Sequence, residues 1–135
     1  MTEPLWLELS DVLDIHTRQL ATFGGAEGIR DQDLIESALA RSQNMFLYDS
    51  VEDVLILAIR LGVGLAKNHG FVDGNKRTGV VALIEFLAIN GYVLRYPPNN
   101  STLGVLFEAA VIDRVTEEEF AETLYPYLET IEPYA

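Results

Sequence analysis

The chain has 135 residues, no cysteine, 9 basic and 21 acidic side chains, a formal net charge of −12, and 49% hydrophobic residues. This composition excludes disorder, disulfides and thiolate metal sites, and so acidic a surface repels phosphate backbones, which argues against direct nucleic-acid binding and against an RNA- or DNA-acting protein. The length suits a single domain spanning residues 1–135; no apolar run is long enough to span a membrane uninterrupted, and "MTEPLWLELSD" lacks a basic segment ahead of an apolar one, so the expectation is a cytoplasmic protein with no membrane association and no secretory signal.

The pattern along the chain is helical nearly throughout. Leu9, Leu13, His16, Leu20 and Phe23 recur at helical spacing and predict a first helix from about Ser10 to Phe23, ended by Gly24 and Gly25. His16 on this stripe reads first as a core histidine, and second as a residue able to approach a site. The loop "GGAEGIR" follows, as a lid or as a plain turn. Asp31 suits the N-cap of a short helix with Leu34, Ile35, Ala38 and Leu39 inward. Ser50 and Asp53 suit a capping box for the next helix, where Arg60 is the only charge from Val54 to Ala66.

The run "GVVALIEFLAI" carries only Glu85 between Gly79 and Ile89, with Gly91 as its C′ residue. Helices apolar on nearly every side belong inside a protein, so these two are expected to be the most buried. Their lone charges, Arg60 and Glu85, either pair with each other or reach solvent separately. "YVLRYPP" reads as extended at most. A helix from about Thr102 to Arg114 follows. Thr116 and Glu119 form a second capping box, for a last helix ending near Tyr125 to Leu128. Tyr125, Tyr127 and Tyr134 belong to a packed helix and frayed tail, or to a partner surface. The expected class is all-α, a bundle of about six helices with a loop between two buried central ones.

That loop is "NHGFVDGNKRTG". Phe71 is its one large hydrophobe and a natural anchor into the core. Gly74 permits a positive φ or the close approach of a ligand. Asn75 can cap the helix that follows, whose free N–H groups favour an anion. Lys76 and Arg77 then oppose the helix dipole, at a cost of roughly 0.3–1 kcal/mol each, unless a bound phosphate reverses the sign. Arg offers a planar fork to phosphate oxygens, and Lys a point charge. Asp73 is a hard carboxylate suited to Mg²⁺ bridging to a phosphate. His69 has an ordinary pKa near ~6.5, which suits proton transfer near neutrality. Thr78 either touches a phosphate or bonds its own backbone. Lys67 either extends the cationic patch or complements a helix C-terminus. An Asp-Gly-Asn turn before a helix is common, and it is the cluster within ten residues that points to phosphoryl or nucleotidyl transfer. The Walker A spacing is absent.

The segment resembles the Fic/Doc signature, H-x-F-x-D/E-G-N-G-R-x-x-R, and in particular the branch of Doc (death-on-curing) toxins. His69, Phe71, Asp73, Gly74, Asn75 and Arg77 match in register. "GGAEGIRD" followed by "ESAL" is also similar to Doc-type sequences, and the resemblance covers roughly residues 9–92. Two positions depart from the pattern of the AMP-transferases: Lys76 stands where they carry Gly, and Val80 where they carry a second Arg. The resemblance to Doc toxins implies a protein kinase of a type II toxin–antitoxin system that passes the γ-phosphate of ATP to a Thr or Ser hydroxyl of elongation factor Tu and inhibits translation. It implies that His69 deprotonates the hydroxyl, that Asp73 holds Mg²⁺, and that Asn75, Lys76 and Arg77 position phosphates; Gly74 and Thr78 join them as candidate phosphate-binding residues from the reading of the turn itself. It also implies a cognate Phd-like antitoxin whose disordered tail folds on binding. The competing readings are a Fic-type AMP-transferase and a non-catalytic interaction protein with a degenerate site.

Overall fold

A run such as "VLILAIRLGVGLA" has no polar face to turn to solvent, and the chain solves this by burying it. The computed structural model of the protein describes residues 2–96 and 101–131; Tyr134 and the prolines of "YVLRYPP" lie outside these. The elements are α1 (Leu9–Phe23), α2 (Gln32–Asp49), α3 (Val54–Asn68), α4 (Asn75–Ile89), β1 (Tyr92–Leu94), α5 (Thr102–Val111), α6 (Glu117–Leu124), a 3₁₀ turn (Tyr125–Tyr127) and β2 (Leu128–Thr130). The all-α expectation holds, with six helices among the described residues and one two-stranded antiparallel ribbon. None of these helices is long and apolar enough to cross a membrane.

Helix α3 is the centre. Every residue from Leu61 to Ala66 is buried, as are Leu55 and Leu57 to Ile59. Helix α4 lies along it but is inside on one face only, since Ile84 and Ile89 are exposed. One hydrophobic cluster draws residues from all six helices, among them Ile15, Ile35, Leu57, Phe86, Phe107 and Phe120. The α3–α4 crossing depends on two glycines. A Cβ on Gly62 would stand 2.6 Å from the Gly79 carbonyl oxygen, and one on Gly79 would collide with the Gly62 carbonyl and the Phe107 ring.

Several expectations are corrected. Helix α2 is long, running 18 residues to Asp49, because Ser42 and Leu39 continue its buried side beyond the first turns. Ser50 is not part of a capping box: it closes α2 with φ 58°, and Asp53 alone caps α3, accepting from the amides of Leu55 (2.9 Å) and Ile56 (3.3 Å). Arg60 and Glu85 do not pair with each other. Arg60 bonds Glu117 at 2.6 Å and Glu85 bonds Arg18 at 2.8 Å, because α6 packs on α3 while α1 packs on α4. Helix α5 stops at Val111 rather than Arg114, and Asp113 takes φ 61° just beyond it. The Thr116–Glu119 capping box is present, but α6 gives way at Leu124 to the 3₁₀ turn containing Pro126. Leu128–Thr130 then pairs with Tyr92–Leu94 as a strand, in the register Tyr92↔Thr130.

The glycine pair makes the crossing testable. Gly79→Ala should lower stability by about 1–3 kcal/mol, even though Ala gains roughly 1 kcal/mol over Gly in helix propensity, because backbone cannot move aside as a side chain can. Urea unfolding would show this as a lowered midpoint. A midpoint at or above that of the parent protein would contradict the close crossing.

Candidate active site

The turn between α3 and α4 is built by satisfying carbonyls, one after another. Arg30 spans the end of α3, its Nε donating to the His69 carbonyl at 2.6 Å and its Nη2 to the Asn68 carbonyl at 3.3 Å. The amides of Arg30 and Asp31 both donate to the Gly70 carbonyl, at 2.8 and 2.9 Å. Asn75 holds Phe71 at both backbone groups, its Nδ2 donating to the carbonyl and its Oδ1 accepting from the amide, each at 3.0 Å. His16 Nε2 donates to the Asp73 carbonyl at 2.8 Å. The Gly74 carbonyl accepts from the Thr78 amide at 3.0 Å, the first intrahelical bond of α4. The amides of Asn75, Lys76 and Arg77 precede that bond and are the open donors of a helix start.

This scaffold exposes three kinds of chemistry side by side. His69 closes α3 in the left-handed region (φ 50°, ψ 47°), and among the described residues its exposed ring has no hydrogen-bond partner, so both nitrogens are available. Asp73 is exposed and receives a backbone N–H on each oxygen, from Ala26 at 3.2 Å and from Gly74 at 2.8 Å. These two bonds, then the charges of Arg77 and His16, hold its carboxyl below the ordinary carboxylate value, so it is ionised throughout the neutral range. Gly25 admits the first of these bonds, since a Cβ there would stand 2.7 Å from Asp73 Oδ2. Gly74 has φ 79°, as its position in the turn requires.

The two cations have partners that local sequence does not show. Arg77 donates to the Gly24 carbonyl at 3.2 Å and lies over the Phe23 ring at 5.4 Å. It therefore supplies the C-terminal end of α1, which has no basic residue in its own last turn, with a favourable charge. Lys76 pairs with Glu108 of α5 at 3.2 Å, with both side chains at least half exposed. The apolar groove beside them, about 430 Å³, is lined by Phe23, Val80, Val81 and Phe107. Mg²⁺ binds through one or two carboxylates and completes its shell with phosphate oxygens and water. No group of three ligating side chains exists among the described residues, so Asp73 fits such an ion only in company with a phosphate.

Other expected members of the site are placed differently. Asn75 does not cap α4; Gly74 stands at the N-cap, and the Asn75 side chain is committed to Phe71. Thr78 is fully buried and its hydroxyl has no partner among the described residues, so it is not presented where a phosphate would arrive. Lys67 is drawn off to Asp113, at 2.5 Å, and does not extend the cationic patch. The "GGAEGIR" loop is tied to the turn: Ile29 forms a β-bridge with Phe71, and the Val72 amide donates to the Gly28 carbonyl at 3.0 Å. Arg30 was not singled out by the pattern of the chain. The signal for it was present in the last carbonyls of α3, which need donors that the helix itself cannot provide.

A model of the Fic/DOC family matches residues 6–87. The chain belongs to that family. Among its relatives, a protein named Toxin Doc, from Mycolicibacterium smegmatis (strain ATCC 700084 / mc(2)155), is 41% identical over 95 residues, or 70% of this chain and 69% of that protein. Another, named Protein kinase doc, from Escherichia phage P1, is 26% identical over 114 residues, or 84% of this chain and 88% of that protein. The Fic/DOC match takes in α1, the Arg30 loop and the whole turn from His69 to Arg77. It leaves out α5, and with it Glu108.

Two measurements probe this site directly. Asp73 has a lowered folded pKa, so its contribution to stability is present above the unfolded value, 3.8, and is lost as pH falls through the folded one. Asp73→Asn should therefore cost stability at pH 7, and thermal melts should show the gap to the parent closing in acid. A gap that stays constant down to pH 2 would contradict the bonding to Ala26 and Gly74. Arg30→Ala should destabilise by about 1.5 kcal/mol, the low end for hydrogen bonds to a charged donor because the site is exposed. Arg30→Lys should recover less than half of this in urea melts, since an ammonium lacks the fork that spans two carbonyls.

Proposed function

We propose that this member of the Fic/DOC family is a phosphotransferase acting as the toxin of a toxin–antitoxin module. The observation that carries the reading is the presentation, on one turn, of a free imidazole, an ionised carboxylate and two cations beside the open amides of α4. The names of its relatives, one a toxin and one a protein kinase, support it. His69 takes the proton from a Thr or Ser hydroxyl of the acceptor protein. The hydroxyl oxygen forms a bond to the γ-phosphorus of ATP, the bond from that phosphorus to the β–γ bridging oxygen breaks, and ADP leaves. Lys76 and Arg77 hold phosphate oxygens together with the amides of Asn75, Lys76 and Arg77. Asp73 would hold Mg²⁺, which supplies charge neutralisation at the phosphates when bound. The acceptor expected is a translation factor similar to elongation factor Tu, and the inhibitor a Phd-like antitoxin.

Transfer of a single phosphate is favoured over transfer of AMP by Lys76 and Val80. Lys76 occupies the helix start that glycine leaves open in the AMP-transferases, and Val80 lines the apolar groove where a second arginine would otherwise sit. ATP labelled at the γ- or the α-phosphate separates the two activities. Label from the γ-position should reach the acceptor protein, and label from the α-position should not. His69→Ala should reduce transfer by roughly 10²–10⁴-fold and abolish growth inhibition. Growth inhibition undiminished in His69→Ala would overturn the catalytic reading in favour of a non-catalytic interaction protein.

A further inference from the structure

His16 is a buried titratable residue, 6% exposed, that takes no part in the chemistry above. Its ring lies flat on Phe71, with centroids 3.7 Å apart and planes 6° apart. Its Nε2 is 2.8 Å from the Asp73 carbonyl oxygen. A carbonyl oxygen only accepts, so Nε2 carries a proton.

The importance of this bond follows from peptide planarity. The Asp73 carbonyl and the Gly74 amide belong to one rigid unit. At one end of that unit, the carbonyl accepts from His16. At the other, the Gly74 N–H donates to Asp73 Oδ1 at 2.8 Å. Holding the carbonyl therefore aims the amide at the carboxylate. Glycine at position 74 makes such a hold necessary, because a residue without Cβ lets the preceding peptide rotate at little cost. A rotated plane would turn the N–H away from Asp73 and leave its carboxylate with the Ala26 amide alone. The ring also lies close to Gly74: a Cβ added there would stand 3.6 Å from the imidazole Cδ2.

We propose that His16 is a positioning residue. By donating from Nε2 to the Asp73 carbonyl, it latches the peptide plane between Asp73 and Gly74 and so orients the Asp73 carboxylate toward the phosphate site. The latch itself is a property of the folded protein, and only its catalytic consequence rests on the function proposed above. Residues that orient a metal-holding group from behind typically change metal affinity or activity by 10–100-fold when altered.

Two variants separate the hydrogen bond from the packing. His16→Phe keeps a ring against Phe71 and removes the donor. His16→Gln keeps a donor at about the reach of Nε2 and removes the ring. In His16→Phe, amide hydrogen exchange at Gly74 should quicken at least about tenfold, with the α3 amides unchanged. In His16→Gln it should stay within about threefold of the parent. In the transfer assay with ATP, His16→Phe should need about tenfold or more Mg²⁺ for half-maximal rate, while KM for the acceptor protein stays within about twofold. The unaltered protein offers a check that needs no variant: nitrogen NMR of the ring should show the proton on Nε2. A proton on Nδ1 alone, parental exchange in His16→Phe, or His16→Gln as impaired as His16→Phe would each overturn the latch. If the exchange results hold but the parent transfers no phosphate, the proposed function fails and the latch stands.

Discussion

Helices α3 and α4 meet through bare backbone at Gly62 and Gly79, and the candidate site is hung from that crossing. Where two helices approach without intervening side chains, their relative position is set by hard contact rather than by adjustable packing. The turn from His69 to Gly74 has to join helix ends whose separation is already decided. Its left-handed residues, His69 and Gly74, are how the chain meets that demand.

A short loop between two fixed ends could still be loose. This one is held because its carbonyls find donors from three directions: Arg30 and its neighbours from the loop, His16 from α1, and Asn75 from the helix that follows. Few of these donors are themselves expected to touch a substrate. They let His69, Asp73 and Lys76 stand exposed, with Arg77 partly so, on a turn whose backbone is tied down beneath them.

The two cations at a positive helix start are accounted for in the same way. Arg77 is an unfavourable neighbour of its own helix and a favourable one of α1, whose C-terminal carbonyl it meets at Gly24. Lys76 is balanced by Glu108 across a solvent-exposed gap. Exposed pairs of this kind contribute about 0–1 kcal/mol, so Lys76 is only weakly held.

Much of this could be read along the chain. Helix positions, the Asp31 cap, the Thr116–Glu119 box and the chemical cluster from His69 to Arg77 all rest on interactions within a few residues, and local pattern carries those. The motif alone was enough to indicate the Fic/DOC family. Most of the failures involve distance in sequence, although the Ser50 box and the Asn75 cap failed within a few residues. The sequence left Arg60 and Glu85, each solitary on its own helix, either paired or separate, and the choice belonged to α6 and α1. Leu128–Thr130 became a strand because β1 was there to pair with it. Asn75 looked like a cap until Phe71 claimed its amide, and Arg30 and His16 gained their roles only when the carbonyls of the turn were brought to them. The chemistry of the site was determined by the sequence itself, because reactive groups are properties of residue types at short spacing. Their orientation was decided by the tertiary structure, because the His69, Gly70 and Asp73 carbonyls of the turn are satisfied by donors that the packing of remote elements delivers.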